Sequence, residues 1–173
     1  MPGINISRAE ALERSSHLTV ASYDVTIDVT NGEETFIAKT IVKFACNKPG
    51  YDTFVDAVGK RIISATLNGN AVDVSNFDGE SVFLKNLAAS NELVLEIEAI
   101  YSKSGEGLQR SVDPVDNEVY LYSQGETAFI RHMFPCFDQP DLKGTFTLTA
   151  IAPSHWEVIS NNTEKSKSDL GNK

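Results

Sequence analysis

The chain has 173 residues, 41% of them hydrophobic, enough for one domain with a sizeable core and short for two. Its 24 acidic and 15 basic residues leave a formal charge of -9, which opposes binding to nucleic acid or anionic lipid, because both rely on Lys and Arg to neutralise phosphate. No run of about 18 apolar residues occurs, and the start, MPGINISRAEAL, has no basic patch leading into an apolar stretch, so neither a membrane span nor a secretory leader is expected.

Ser7 and Glu10 stand at capping-box spacing before a run rich in Ala, Leu and Glu, which predicts one short opening helix over 8–16. The pattern then changes to period two. Tyr23, Val25, Ile27 and Val29 share a face against Asp24, Thr26 and Asp28; Asn31-Gly32 follows, and Phe36, Ala38, Val42 and Phe44 alternate with Lys39 and Lys43. These runs predict an antiparallel pair joined near residues 30–35. Further strands are expected at 53–57, 61–67, 71–74, 81–85 and 93–101, with Leu93, Leu95, Ile97 and Ala99 as the clearest core stripe.

Residues 102–118, SKSGEGLQRSVDPVDNE, read as the longest irregular stretch. Within it Asp113 and Asp116 flank a turn at Pro114, where Asp side chains satisfy local amides; DPVD offers too few oxygens for calcium. Many short strands at close spacing predict an all-β fold, an antiparallel β-sandwich or saddle-like multi-sheet domain with one short N-terminal helix. Cys46 and Cys136 lie far apart with no C-x-x-C, which fits a reduced cytoplasmic protein.

Residues 123–161, SQGETAFIRHMFPCFDQPDLKGTFTLTAIAPSHWEVISN, are the most informative stretch. Pro135 and Pro140 each fix a backbone angle and push the preceding residue, Phe134 or Gln139, away from helix, so FPCFDQPD is an ordered non-helical crossing. Phe134 and Phe137 are expected to hold it by burial, with Arg131 paired to Asp138 or Asp141 as an internal clamp. Phe146, Leu148 and Ala150 then alternate with Thr145, Thr147 and Thr149, the pattern of a half-buried strand ending before Pro153. His132 and Cys136 make a poor metal pair, because Pro135 between them rules out regular helix and structural zinc wants four ligands.

This stretch resembles the end of the N-terminal domain of zinc aminopeptidases of the aminopeptidase N family, whose actinobacterial-type members carry a nearly identical FPCFDQPDLK run. LNGNAV at 67–72, NELVLEIEAIYSKSGEGL at 91–108 and DPVDNEVYLYSQGE at 113–126 occur in the family's order, so the resemblance spans essentially the whole chain. His132 departs from it, standing where members usually have a second arginine. The resemblance implies a full-length enzyme whose H-E-x-x-H helix holds Zn2+. That motif is absent from these 173 residues, where no glutamate directly follows His17, His132 or His155. The expectation is therefore a single N-terminal domain over 1–173, cut shortly before its natural boundary, with no catalytic residue and no metal ligand of its own.

By the same resemblance, Gln124 and Glu126 match a Q-x-E element that reaches into the active site, the glutamine lining the pocket for the first side chain and the glutamate holding the free α-amine. The partners implied are the missing catalytic domain and peptide N-termini. Gly125 between them is expected to supply backbone angles closed to other residues. Read without the resemblance, Glu126 is one of 24 acidic residues facing water. The rival function is a free-standing β-sandwich module that binds a protein partner through a sheet edge or the loop at 102–118.

Overall fold

A computed structural model of the chain describes residues 5–171, and in it the capping box forms as its spacing predicts. The Glu10 amide donates to the Ser7 side chain at 3.2 Å and the Ser7 amide donates to the Glu10 carboxylate at 2.8 Å, satisfying two donors at the start of helix α1, Arg8–His17. Leu18 turns extended and ends the helix, and strand β1 (Leu18–Asp28) begins there without a loop. The remaining strands are β2 (Thr35–Cys46), β3 (Thr53–Asp56), β4 (Arg61–Leu67), β5 (Asn70–Ala71), β6 (Ser81–Leu84), β7 (Ser90–Ile100), β8 (Gly107–Val112), β9 (Val119–Gln124) and β10 (Thr145–Ile151).

Six strands form the main sheet in the order β10-β1-β2-β7-β4-β5, while β3 with β6 and β8 with β9 make two smaller sheets. The alternation read from the sequence decides which face is covered. Val25, Ile27, Phe36, Ala38, Val42, Phe44, Leu93, Leu95, Ile97 and Ala99 are all buried. They share one core with Val55, Val82 and Leu84 of the β3–β6 sheet and with Phe134, Phe137 and Leu142 of the proline-bracketed crossing. Phe137 meets Phe44 edge-on at 5.1 Å between ring centroids. Each large apolar side chain fully removed from water contributes about 1.5–3 kcal/mol, so this face is the main source of stability. The expected all-β, multi-sheet architecture with one N-terminal helix is the one observed.

Three expectations change. The strand expected at 71–74 shrinks to Asn70–Ala71, because Asp73 is taken up in a turn, accepting from the Ser75 amide at 3.0 Å. The irregular stretch at 102–118 contains β8, which pairs antiparallel with β9 from Gly107 opposite Gln124 to Val112 opposite Val119. Its residues, GLQRSV, lack apolar alternation, so backbone pairing defines this strand and no pattern advertised it. The turn between the two is built as expected: the Val115 amide donates to Asp113 Oδ1 at 2.7 Å and the Glu118 amide to Asp116 Oδ1 at 2.8 Å. Finally, β10 runs parallel to β1 and lies at the sheet edge, with Phe146 half exposed and Ala150 exposed, so it is less covered than its pattern implies. Alternation reports which side chains share a face; the direction of pairing depends on the route of the chain between the two strands.

Candidate functional site

Gln124 closes β9, and Gly125 and Glu126 carry the chain off the hairpin towards the crossing. Both Gln124 and Glu126 are exposed, and Gly125 between them is partly buried. The Glu126–Thr127 peptide is cis. The chain then tightens. The Phe129 amide donates to the Gly125 carbonyl at 3.1 Å, the Met133 and Phe134 amides donate to the Ile130 carbonyl at 2.8 and 3.1 Å, and Ile130–His132 forms one 3₁₀ turn.

The reason for Gly125 differs from the one expected. Its φ is not in the left-handed region; the side chain of Ile130 occupies the space a Cβ would need. Gly107, across the hairpin from Gln124, has both reasons, a φ of +67° and no room for a Cβ against His132. The open end of the hairpin thus rests directly on the 130–132 turn. His132 is half-buried there, its ring edge-on to Phe129 at 5.9 Å, and burial together with the neighbouring Arg131 charge pushes its pKa below the ordinary value.

Beneath that turn lies a cluster of buried charges. Arg131 Nε donates to Asp138 Oδ2 at 3.1 Å, which is one of the two clamps expected; Asp141 instead accepts from Gln139 Nε2 at 2.7 Å. Arg131 also pairs with Asp56 at 3.3 Å, and Asp56 pairs in turn with Arg14 of α1 at 3.4 Å. The Asp138 amide donates to Asp56 Oδ2 at 3.0 Å, and Arg14 Nε donates to Gln139 Oε1 at 3.0 Å. Asp56 is only 2% exposed, and burial lifts its carboxyl above the ordinary range even though Arg14 and Arg131 pull it down. Asp56 and Cys136 exchange backbone bonds of 2.9 and 3.0 Å, which attaches the crossing to β3. Cys136 itself is a buried thiol raised well above its ordinary value, by burial first.

An open apolar groove of about 1230 Å³ lies between the hairpin, the crossing and β10, walled by Tyr122, Phe134, Phe146, Leu148 and Trp156 among others. Gly125, Thr127 and Ile130 reach it, while Gln124 and Glu126 do not line it. Among the described residues no three His, Cys, Asp or Glu side chains converge as a metal site, His132 and Cys136 included, and no helix is long and apolar enough to cross a membrane. Sequence reading missed Arg14 and Asp56 altogether. An arginine on a helix and an aspartate ending a strand carry no local signal of burial, since their partners are distant in sequence.

Residues 19–173 match the family model for the Peptidase M1 N-terminal domain. The chain is similar to Aminopeptidase N of Streptomyces lividans, 41% identical over 93% of this chain and 19% of that protein. It is also similar to a leucyl aminopeptidase of Saccharolobus solfataricus, 31% identical over 62% of this chain and 13% of that one. Among solved structures, an E323A mutant of an M1 zinc metallopeptidase from Deinococcus radiodurans superposes with a TM-score of 0.61 at 25% identity, covering 78% of this chain and 32% of the other. The chain therefore spans about a fifth of the length of the Streptomyces relative.

Proposed function

Because the chain belongs to the Peptidase M1 N-terminal domain family, we propose that it caps the substrate cleft of a zinc-dependent aminopeptidase, a hydrolase that releases single residues from peptide N-termini. In this reading Gln124 forms part of the wall of the first side-chain pocket and Glu126 holds the free α-amine. The observation that carries it is local: two exposed polar side chains flank a glycine with no room for a Cβ, at the end of a hairpin braced by a buried ionic cluster. That arrangement presents an amide and a carboxylate outward from a rigid support.

The physical need is plain. A peptide α-amine with a pKa of about 7.7–8.0 is largely cationic at neutral pH, so an exopeptidase requires a carboxylate at the closed end of its cleft. One such carboxylate at 4 Å contributes about 1 kcal/mol in water and about 4 kcal/mol at an effective dielectric of 20, so closure of a second domain over Glu126 strengthens the contact. In this reading the metal and its chemistry reside in a catalytic domain outside this chain, which spans about a fifth of the Streptomyces relative. The fragment by itself is expected to be inactive. Cytoplasmic residence belongs to the same proposal, supported by two buried, unpaired cysteines, Cys46 and Cys136.

The test is a substitution in the longer polypeptide. Glu126→Ala should lower kcat/KM on an aminoacyl reporter amide by about tenfold or more, and an unchanged value removes Glu126 from the site. Reading the gene past residue 173 separates the enzyme from the free-standing interaction module: an H-E-x-x-H motif selects the former and an early stop codon the latter.

A further inference from the structure

We propose that Asp56 is a positioning residue for the 124–126 segment and that it acts through Arg131. Asp56 divides its oxygens. Oδ1 pairs with Arg131 at 3.3 Å, while Oδ2 accepts from Arg14 at 3.4 Å and from the Asp138 amide at 3.0 Å. A buried ion pair seldom outperforms well-packed apolar residues as a source of stability, so what this one supplies is a defined geometry. Arg131 is held on both faces: its amide and Nε donate to Asp138 at 3.2 and 3.1 Å, and its carbonyl accepts from the Val58 amide at 2.9 Å.

From Arg131 the path to the site is short. Ile130, its neighbour, packs against Gly125 where no Cβ fits, and the Phe129 amide donates to the Gly125 carbonyl at 3.1 Å. Gly125 is thereby clamped to the anchored turn, and its two flanking side chains are the ones assigned to the cleft. At the other end, Gln124 is paired across the hairpin with Gly107, which is seated on His132. The segment is thus tied down on both sides to residues 130–132, and those residues are tied to β3 through Asp56.

Arg14 serves as an internal control. It is as deeply buried as Arg131 and shares the same carboxylate, but it otherwise meets Gln139, the Phe54 carbonyl, the Phe54 ring, 4.3 Å from the guanidinium carbon, and the Phe137 ring at 5.8 Å. None of them leads to residues 124–126. Removing either arginine weakens the buried cluster; only removal of Arg131 should release the segment.

The experiment has two arms, and the second rests on the assignment of Glu126 to the amine. In the 173-residue chain, hydrogen exchange of the Phe129 amide is measured against that of Leu95 in β7, which reports global opening. Arg131→Met should speed Phe129 exchange relative to Leu95 by about tenfold or more, and Arg14→Met should leave the ratio unchanged. In the longer enzyme, inhibition by leucine hydroxamate is compared with inhibition by its des-amino counterpart, 4-methylpentanoyl hydroxamate. Arg131→Met should cut the preference for the amine by about tenfold, Arg14→Met should leave it intact, and Asp56→Asn should follow Arg131→Met. Arg131→Lys, which keeps the charge but loses the two-sided contact, should move both readouts in the same direction by less and remains informative where the methionine variant does not fold. Equal behaviour of the Arg14 and Arg131 variants in both arms overturns the inference. If Glu126→Ala leaves the amine preference unchanged, the assignment of Glu126 fails, while the exchange arm still decides whether Asp56 and Arg131 hold the segment.

Discussion

The main sheet and the 124–142 region are held by different physics. In β1, β2 and β7 the apolar residues recur every second position, so register lines them up on one face, which the β3–β6 sheet and the crossing cover. The 124–142 region has no such period. Besides the buried Phe134, Phe137 and Leu142, it is fixed by four charged side chains, Arg14, Asp56, Arg131 and Asp138, brought from a helix, a strand, a turn and the crossing, and by glycines that permit close approach. The first arrangement is generous, since many apolar residues would serve. The second is strict, because each charge depends on a particular partner.

That contrast is open to attack by substitution. Asp56→Ala should be the most damaging change, about 3–5 kcal/mol by denaturant unfolding, because it takes the paired carboxylate from the buried Arg14 guanidinium and removes one of the carboxylates paired with Arg131, which keeps Asp138. Leu95→Ala, at the centre of β7, should cost about 2–5 kcal/mol through the cavity it leaves, with the exchange of the Phe129 amide relative to global opening unaltered. A smaller loss from Asp56→Ala than from any single core truncation would mean that the ionic region is peripheral to stability.

Gly125→Ala tests the other device. The added methyl group meets Ile130, so a loss of about 1–3 kcal/mol is expected, and the double change Gly125→Ala with Ile130→Val should recover part of it. A neutral Gly125→Ala would show that the turn can retreat from the hairpin and that the seat is loose.

The smallest effect concerns pH. Burial first, then Arg131, hold the His132 imidazole below its ordinary 6.5 in the folded chain, outweighing Glu106, Asp138 and Glu80, which pull the other way. The unfolded chain then takes up its proton before the folded one. His132 therefore contributes its full stability above 6.5, and that contribution is lost as pH falls through 6.5 towards the lower folded value. Urea midpoints on either side of 6.5 should show a steeper decline for the wild type than for His132→Gln, and parallel declines would place the imidazole in water.

Much of the candidate site was legible in residue order. The prolines marked the crossing, and the resemblance singled out Gln124 and Glu126, while the β8–β9 hairpin that carries them had no such signal. The role of Gly125 was misjudged for an identifiable reason: a glycine looks the same in sequence whether it is needed for its angles or for its lack of a Cβ, and only the position of Ile130 separates the two. β8 was overlooked because GLQRSV has no apolar alternation.

By itself the order of residues determined the period-two faces of β1, β2 and β7, the capping box of α1 and the non-helical crossing, because each of these is dictated by interactions a few residues apart. The tertiary structure alone decided that β10 runs parallel to β1 and that Arg14, Asp56, Arg131 and Asp138 share one buried cluster. Those outcomes depend on where distant segments come to rest, and a charged residue acquires a buried partner only after the chain between them has folded.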